Sequence, residues 1–156
     1  WTNEDHWQWA TKPNEREKAS FLKENLLPMQ ESGQLRFVSR GDTAFQETSE
    51  LGFGILFADG HTEKQMLPHI TYKEKNLVFV ADLVPTAGHI PLPYVMGYDT
   101  RPLLTLAEKK LFLNNAVKKN SYLFFEHDAH NEICTLKQTE KGVRLDQAHT
   151  FDELFN

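Results

Sequence analysis

The run Leu77-Val78-Phe79-Val80-Ala81 is continuously apolar and stops at a carboxylate, Asp82. Apolar residues without alternation, over the length of a strand, fit a strand covered on both faces. Such a strand constrains the rest of the chain, because other layers must lie above and below it. The polar turn Lys73-Glu74-Lys75-Asn76 precedes it, and Leu35 to Ser39, Gly52 to Ala58 and Gln65 to Tyr72 are further strand-like runs. Tyr122 to Glu126 reads as a second buried strand. Ile133 to Gln138 and Val143 to Asp146 flank Glu140-Lys141-Gly142 and read as a hairpin.

Helical patterns bracket these strands. Asn14 can cap a helix with Glu17 reaching back, and Ala19, Leu22, Leu26 and Met29 recur at steps of three and four. Pro28 interrupts that face and Ser32-Gly33 ends it. Thr105-Leu106-Ala107-Glu108 reads as a capping box that opens a helix running to Lys119, with Leu106, Leu113 and Val117 on one side. Phe151 to Phe155 reads as a last short helix. Val84 to Pro102 is Pro-rich and too apolar for a simple surface connection, and long ordered loops are often functional. The order helix, strands, helix, strands predicts a mixed α/β layered fold. With 156 residues, a single unit spanning 1–156 with its own core is expected.

Lysine and arginine number 17 against 22 aspartates and glutamates, a net charge of −5. The densest basic cluster, Lys109-Lys110 with Lys118-Lys119, falls on the second predicted helix and reads as a solvated face. No nucleic-acid partner is therefore expected. No apolar run approaches the roughly 20 residues of a membrane helix, so no membrane partner is expected. The one cysteine, Cys134, cannot pair within the chain. It sits in the alternating run Glu132 to Leu136 as a packed small residue, which points to a reducing, cytoplasmic compartment.

Three titratable residues follow apolar runs. His61 lies in Asp59-Gly60-His61-Thr62 after the run ending at Ala58, Asp82 follows Ala81, and His127 follows Glu126. Singly, each fits a turn, a cap or a surface loop. As a set, they can project imidazole nitrogen and carboxylate oxygen to one rim of a sheet, donors that suit zinc and related divalent ions. A carboxylate can also bridge two ions. His127-Asp128-Ala129-His130 offers a weaker local pair. His89, Tyr94 and Tyr98 stand in the long irregular stretch, as a pocket wall or as aromatic packing beneath a loop. Trp1, Trp7 and Trp9 fit core anchors better than an exposed patch.

Asp59-Gly60-His61-Thr62-Glu63-Lys64-Gln65 resembles the third histidine motif of the metallo-β-lactamase superfamily. Leu77 through Leu83 resembles the strand carrying that superfamily's bridging aspartate, and Leu123-Phe124-Phe125-Glu126-His127-Asp128 the strand ending in its last metal-binding histidine. Glu15 through Pro28, and Asp82 through Pro102 with Tyr98-Asp99, are similar to lactonase-like and organophosphate-hydrolase-like members. The resemblance covers nearly the whole chain. It implies an αββα sandwich and a dinuclear centre of two zinc ions or related transition metals. His61 would bind one ion and His127 the other, with Asp82 bridging them and serving catalysis. A metal-bridging hydroxide would attack a small ester, lactone or phosphoester substrate, and His89, Tyr94 and Tyr98 would shape its pocket.

One departure is large. The superfamily's string His-x-His-x-Asp-His is absent. The chain is therefore expected to be the C-terminal half of the domain, inactive alone, with the opening Trp1-Thr2-Asn3 as the edge of a cut. The absent N-terminal half, or a homo-oligomer partner, would cover the surface left exposed. The alternative is a non-catalytic binding or assembly module that keeps the second half of the fold. A third reading is a mononuclear structural zinc held by His61, Asp82 and His127.

Overall fold

The computed structural model describes residues 1–156. Its elements run α1 (Glu4–Thr11), α2 (Lys23–Glu31), β1 (Phe45–Gln46), β2 (Gly54–Ala58), β3 (Gln65–Tyr72), β4 (Lys75–Phe79), α3 (Pro102–Lys118), β5 (Tyr122–Phe124), β6 (Ile133–Thr139), β7 (Gly142–His149) and α4 (Phe151–Phe155). The strands form one mixed sheet in the order β1 to β7. Neighbours are antiparallel except β4 and β5, which are parallel and joined through the long loop and α3. Parallel neighbours need such a crossover. Because β2 and β4 both oppose β3, the strands β2, β4 and β5 share one direction. Their last residues, Ala58, Phe79 and Phe124, leave the sheet at one rim.

Helix α3 covers one face of the sheet. Its Phe112, Leu113 and Ala116 pack on Leu67, Val78, Leu123 and Cys134, and each large apolar side chain buried this way is worth about 1.5–3 kcal/mol. Burial pushes the Cys134 thiol up to about 12, with the Asp128 charge adding to it, as expected for a packed residue. The opposite face is covered in part. Val38 sits over Ile55 and Phe57 at one end, and Phe155 over Leu77 and Ile133 at the other. Between them Ile70 is 37% and Tyr72 49% exposed.

Several expectations are corrected. The helix expected from Asn14 does not form. Asn14 Oδ1 accepts from the Arg16 and Glu17 amides, closing only turns, and the Glu17 carboxylate reaches back to the Asn14 side-chain amide at 2.6 Å while also taking Trp9 and Thr62 as donors. The helix begins at Lys23 and continues through Pro28, which costs it a single hydrogen bond. It buries no residue, so Leu22, Leu27 and Met29 remain exposed. Helix α1 was not expected. Its Asn3 side chain accepts from the His6 amide, and Trp7 and Ala10 face inward one turn apart. Leu35 to Ser39 forms a single bridge, Phe37 to Thr2, in place of a strand.

Helix α3 begins at Pro102, whose fixed φ suits the first helical position, and not at a box on Thr105. Thr105 lies inside the helix, and Glu108 leaves it to bind other backbone. Lys109 is not solvated: it is fully buried. Its Nζ donates to the carbonyls of His89 (3.0 Å), Pro91 (3.4 Å) and Tyr94. The strand expected to end at Ala81 ends at Phe79. Ala81 takes a φ of +41° and opens a 3-10 turn, Ala81–Leu83, so Asp82 projects from a tight turn.

Candidate metal centre

The shared rim explains why residues far apart in sequence meet. After β2 the chain turns through residues 59–64, and the start of α3 grips this turn. The Glu108 carboxylate accepts from the amides of Asp59 (2.8 Å) and Gly60 (2.9 Å). Arg101 donates through Nη1 to the Asp59 carbonyl and through Nη2 to Glu63, each at 2.6 Å. The Thr100 amide donates to the His61 carbonyl at 3.1 Å. Contact at Gly60 is closer than any side chain allows, since a Cβ there would lie 2.3 Å from Thr105 Oγ1 and 2.4 Å from its amide nitrogen. On the other side, the Thr62 hydroxyl donates to buried Glu17 at 2.7 Å, and Trp9 Nε1 donates to the second Glu17 oxygen at 2.7 Å.

The turns after β4 and β5 are stitched together. The His127 amide donates to the Pro85 carbonyl at 3.3 Å, and the Ala87 amide to the Asp128 carboxylate at 2.9 Å. Slight burial opposes ionisation of Asp128, but hydrogen bonds from Ala87, His130 and Asn131 outweigh it and pull its pKa down to about 2. Asp128 is thus committed to holding the loop, and the 127–130 stretch is organised around that carboxylate.

His61, Asp82 and His127 come together. His61 Nε2 lies 3.5 Å from Asp82 Oδ2, and His127 Nε2 lies 3.2 Å from Asp82 Oδ1. One carboxylate therefore stands between two imidazoles. Asp82 Oδ2 also meets Gln65 Nε2 at 3.4 Å, whereas buried Oδ1 has no hydrogen-bond donor of good geometry. A buried acceptor left in this state costs about 1–3 kcal/mol. His61 Nδ1 meets Asp99 Oδ1 at 3.0 Å, which leaves Nε2 to face Asp82. Burial opposes protonation of His61, but the Asp99 hydrogen bond and the charges of Asp82, Asp99 and Glu17 prevail and raise its pKa. Two imidazole nitrogens, a carboxylate with an orphaned oxygen and a carboxylate behind one ring are a donor set that fits a divalent transition metal.

A cavity of about 710 Å³ opens beside His61 and Asp82, lined also by His6, Arg16, Phe21 and Tyr98. Tyr98 is 78% exposed at its edge. Neither His89 nor Tyr94 lines it. His89 Nδ1 is hydrogen-bonded to Thr86 Oγ1 at 2.8 Å, and Tyr94 is 60% exposed. Sequence reasoning missed Glu17, Asp99, Arg101 and Glu108 as supports of His61, and Glu126 as a neighbour of His127. Asp99 and Glu108 each lie in a stretch whose local pattern carries a different signal, Tyr98-Asp99 in the long loop and the Thr105 to Glu108 spacing of a capping box.

The fold defines a class: a mixed α/β sheet with flanking helices, of the metallo-β-lactamase type. Solved structures bear out the fold. A probable metal-dependent hydrolase from Staphylococcus aureus is similar at 19% identity with a TM-score of 0.73, covering 94% of this chain and 50% of that one. The hydrolase AbOPH of the β-lactamase superfamily is similar at 16% identity and a TM-score of 0.70, over 95% of this chain and 54% of that one. AidC, a dizinc quorum-quenching lactonase solved with a product, is similar at 18% identity and a TM-score of 0.68, over 96% of this chain and 54% of that one. No family model and no curated protein matches the chain. The chain thus spans about half the length of the structures it matches.

Proposed function

We propose that this chain is the C-terminal half of a metal-dependent hydrolase acting on a small ester, lactone or phosphoester. The observation that carries the reading is the Asp82 carboxylate standing between His61 Nε2 and His127 Nε2, with Oδ1 buried and lacking a hydrogen bond of good geometry. His61 would hold one ion, His127 a second, and Asp82 both, with zinc the metal that best suits these donors. When bound, such ions lower the pKa of water and polarise an electrophilic oxygen.

The chain's own residues have distinct tasks. Asp99 fixes the ring of His61, and Gln65 steers one oxygen of Asp82. Tyr98 shapes the mouth of the 710 Å³ cavity that takes the substrate. His89 and Tyr94, on the same loop, stand outside that cavity. Lys109 keeps that loop in place through its three carbonyls.

The other half of the domain supplies the remaining metal ligands and covers the sheet face that carries Ile70 and Tyr72. That half-covered apolar face and the half-length match to the neighbours support this part of the reading. No helix is long and apolar enough to cross a membrane, and the single, buried thiol supports a cytoplasmic setting.

Intact-mass and metal analysis of the protein from its source tests the proposal. The expected result is a polypeptide larger than 18.1 kDa, or a tightly held second chain, together with divalent metal. A metal-free 18.1 kDa species without a partner overturns it and leaves the binding module as the better reading.

A further inference from the structure

We propose that Glu126 is an additional metal ligand, and that Asp82, Glu126 and His127 hold one divalent cation with no residue from outside this chain. This rests on the metal reading above and extends it to a residue and a capacity that reading does not contain. One ligand atom from each of the three lies within 4.8 Å of the other two. Donors sharing one ion at about 2.0–2.2 Å each stand no more than about 4.4 Å apart, so a small side-chain adjustment closes the set. Glu126 and His127 are exposed and free to make it.

The backbone that carries the pair is fixed on both sides. The Phe125 amide donates to the Glu132 carbonyl at 2.9 Å, and the His127 amide to the Pro85 carbonyl at 3.3 Å. Asp128 then ties the same turn to Ala87. The two side chains are thus presented beside Asp82 on a rigid support.

The charges argue the same way. Glu126 makes no side-chain hydrogen bond or ion pair, yet its carboxylate lies within 4.8 Å of a second carboxylate, whose buried Oδ1 has His127 Nε2 at 3.2 Å but no hydrogen bond of good geometry. Two carboxylates this close repel, and a cation between them removes the repulsion and satisfies the orphaned oxygen. The set also has a chemical bias. Two carboxylates and one imidazole are harder donors than the histidine-rich surroundings of a typical zinc centre; zinc still binds such a set more tightly than manganese(II), but manganese(II) draws a larger share of its affinity from carboxylate oxygen. Glu126 therefore contributes more to Mn²⁺ than to Zn²⁺.

Calorimetric titration of the 156-residue chain with MnCl₂ and with ZnCl₂ tests this. One ion per chain is expected. Glu126→Gln should weaken Mn²⁺ binding about tenfold or more and Zn²⁺ binding less, while Asp82→Asn removes both. Glu126 is exposed, so an unchanged melting temperature will show that E126Q is folded. If E126Q binds Mn²⁺ like the wild type while D82N and H127A do not, Glu126 is only a surface carboxylate and the proposal falls, with the metal site intact. If the chain binds no ion but a longer polypeptide containing it does, the self-contained site falls and the hydrolase reading stands. If neither binds metal, both fall.

Discussion

Asp99 has a side chain with no accessible surface, and one of its oxygens meets His61 Nδ1 at 3.0 Å. That contact sets which imidazole nitrogen is free. Asp99→Asn keeps the shape but weakens the hold on the ring, and partners of this kind are worth about 10–100-fold in metal affinity. Metal titration of D99N in the polypeptide that carries both halves of the domain should show a loss in that range for the ion held by His61, and an unchanged affinity there would mean that His61 does not serve as a ligand. Lys109 poses a different problem. Burial pulls its ammonium down to about 8 despite the charge of Asp99, and three carbonyls depend on it. Lys109→Met leaves those carbonyls without a donor at a cost of about 2–4 kcal/mol, which urea denaturation will register. The candidate ligands were legible in sequence because residue type and position after an apolar run carry the chemistry. Asp99 and Glu108 were not, because their partners lie 38 and 48 residues away. Lys109 looked solvated because a helical sequence alone does not say which face a neighbouring loop will cover.

Among the elements, β3 and α4 have the bounds read from sequence, since a strand-like run and a short helical stretch are local signals; in α4 a Thr150 capping box fixes the start. The rim that gathers the donors follows from strand direction, which alternation does not encode. It needs the parallel pairing of β4 with β5. The box at Thr105 to Glu108 misled for a similar reason: the same four residues serve a contact to residues 59 and 60, so their spacing mimics a cap. Gly60 is where this contact can be tested. Gly60→Ala places a methyl group inside Thr105, against backbone as well as side chain. The overpacking should cost about 3 kcal/mol. Thermal denaturation should show it, and the metal affinity that depends on His61 should fall with it. A variant as stable as the wild type would mean that α3 can retreat freely.

For the molecule as a whole, the pH response should be set largely by His69. It lies on β3 between Phe45 and Phe112, at ring separations of 4.8 and 6.3 Å, with Nε2 unpartnered. Burial, helped by the Lys119 charge, lowers its pKa to about 4. The unfolded chain therefore takes up a proton at a higher pH than the folded one. The stability from the neutral ring is complete above about 6.5 and is lost as pH falls toward about 4, by up to about 3 kcal/mol. His61, with its raised pKa, acts in the opposite sense, its contribution being lost as pH rises. Urea midpoints at pH 7, 5 and 4 should show the acid loss in the wild type and a flatter profile in His69→Phe. An equally steep profile in the variant would assign the loss to other groups.

The grip of α3 on the turn at Gly60 also sets an order of events. The hydrogen bonds joining Asp59 and Gly60 to Glu108 span 49 and 48 residues, and contacts so distant in the chain form only after a large loop has closed. The His61 turn is therefore no ready-made hook in a nascent or partly folded chain. A cation that requires His61 finds its seat after the helix has docked, so it cannot act as a folding nucleus. Such a cation would act as a late lock that slows unfolding and leaves the speed of folding almost unchanged.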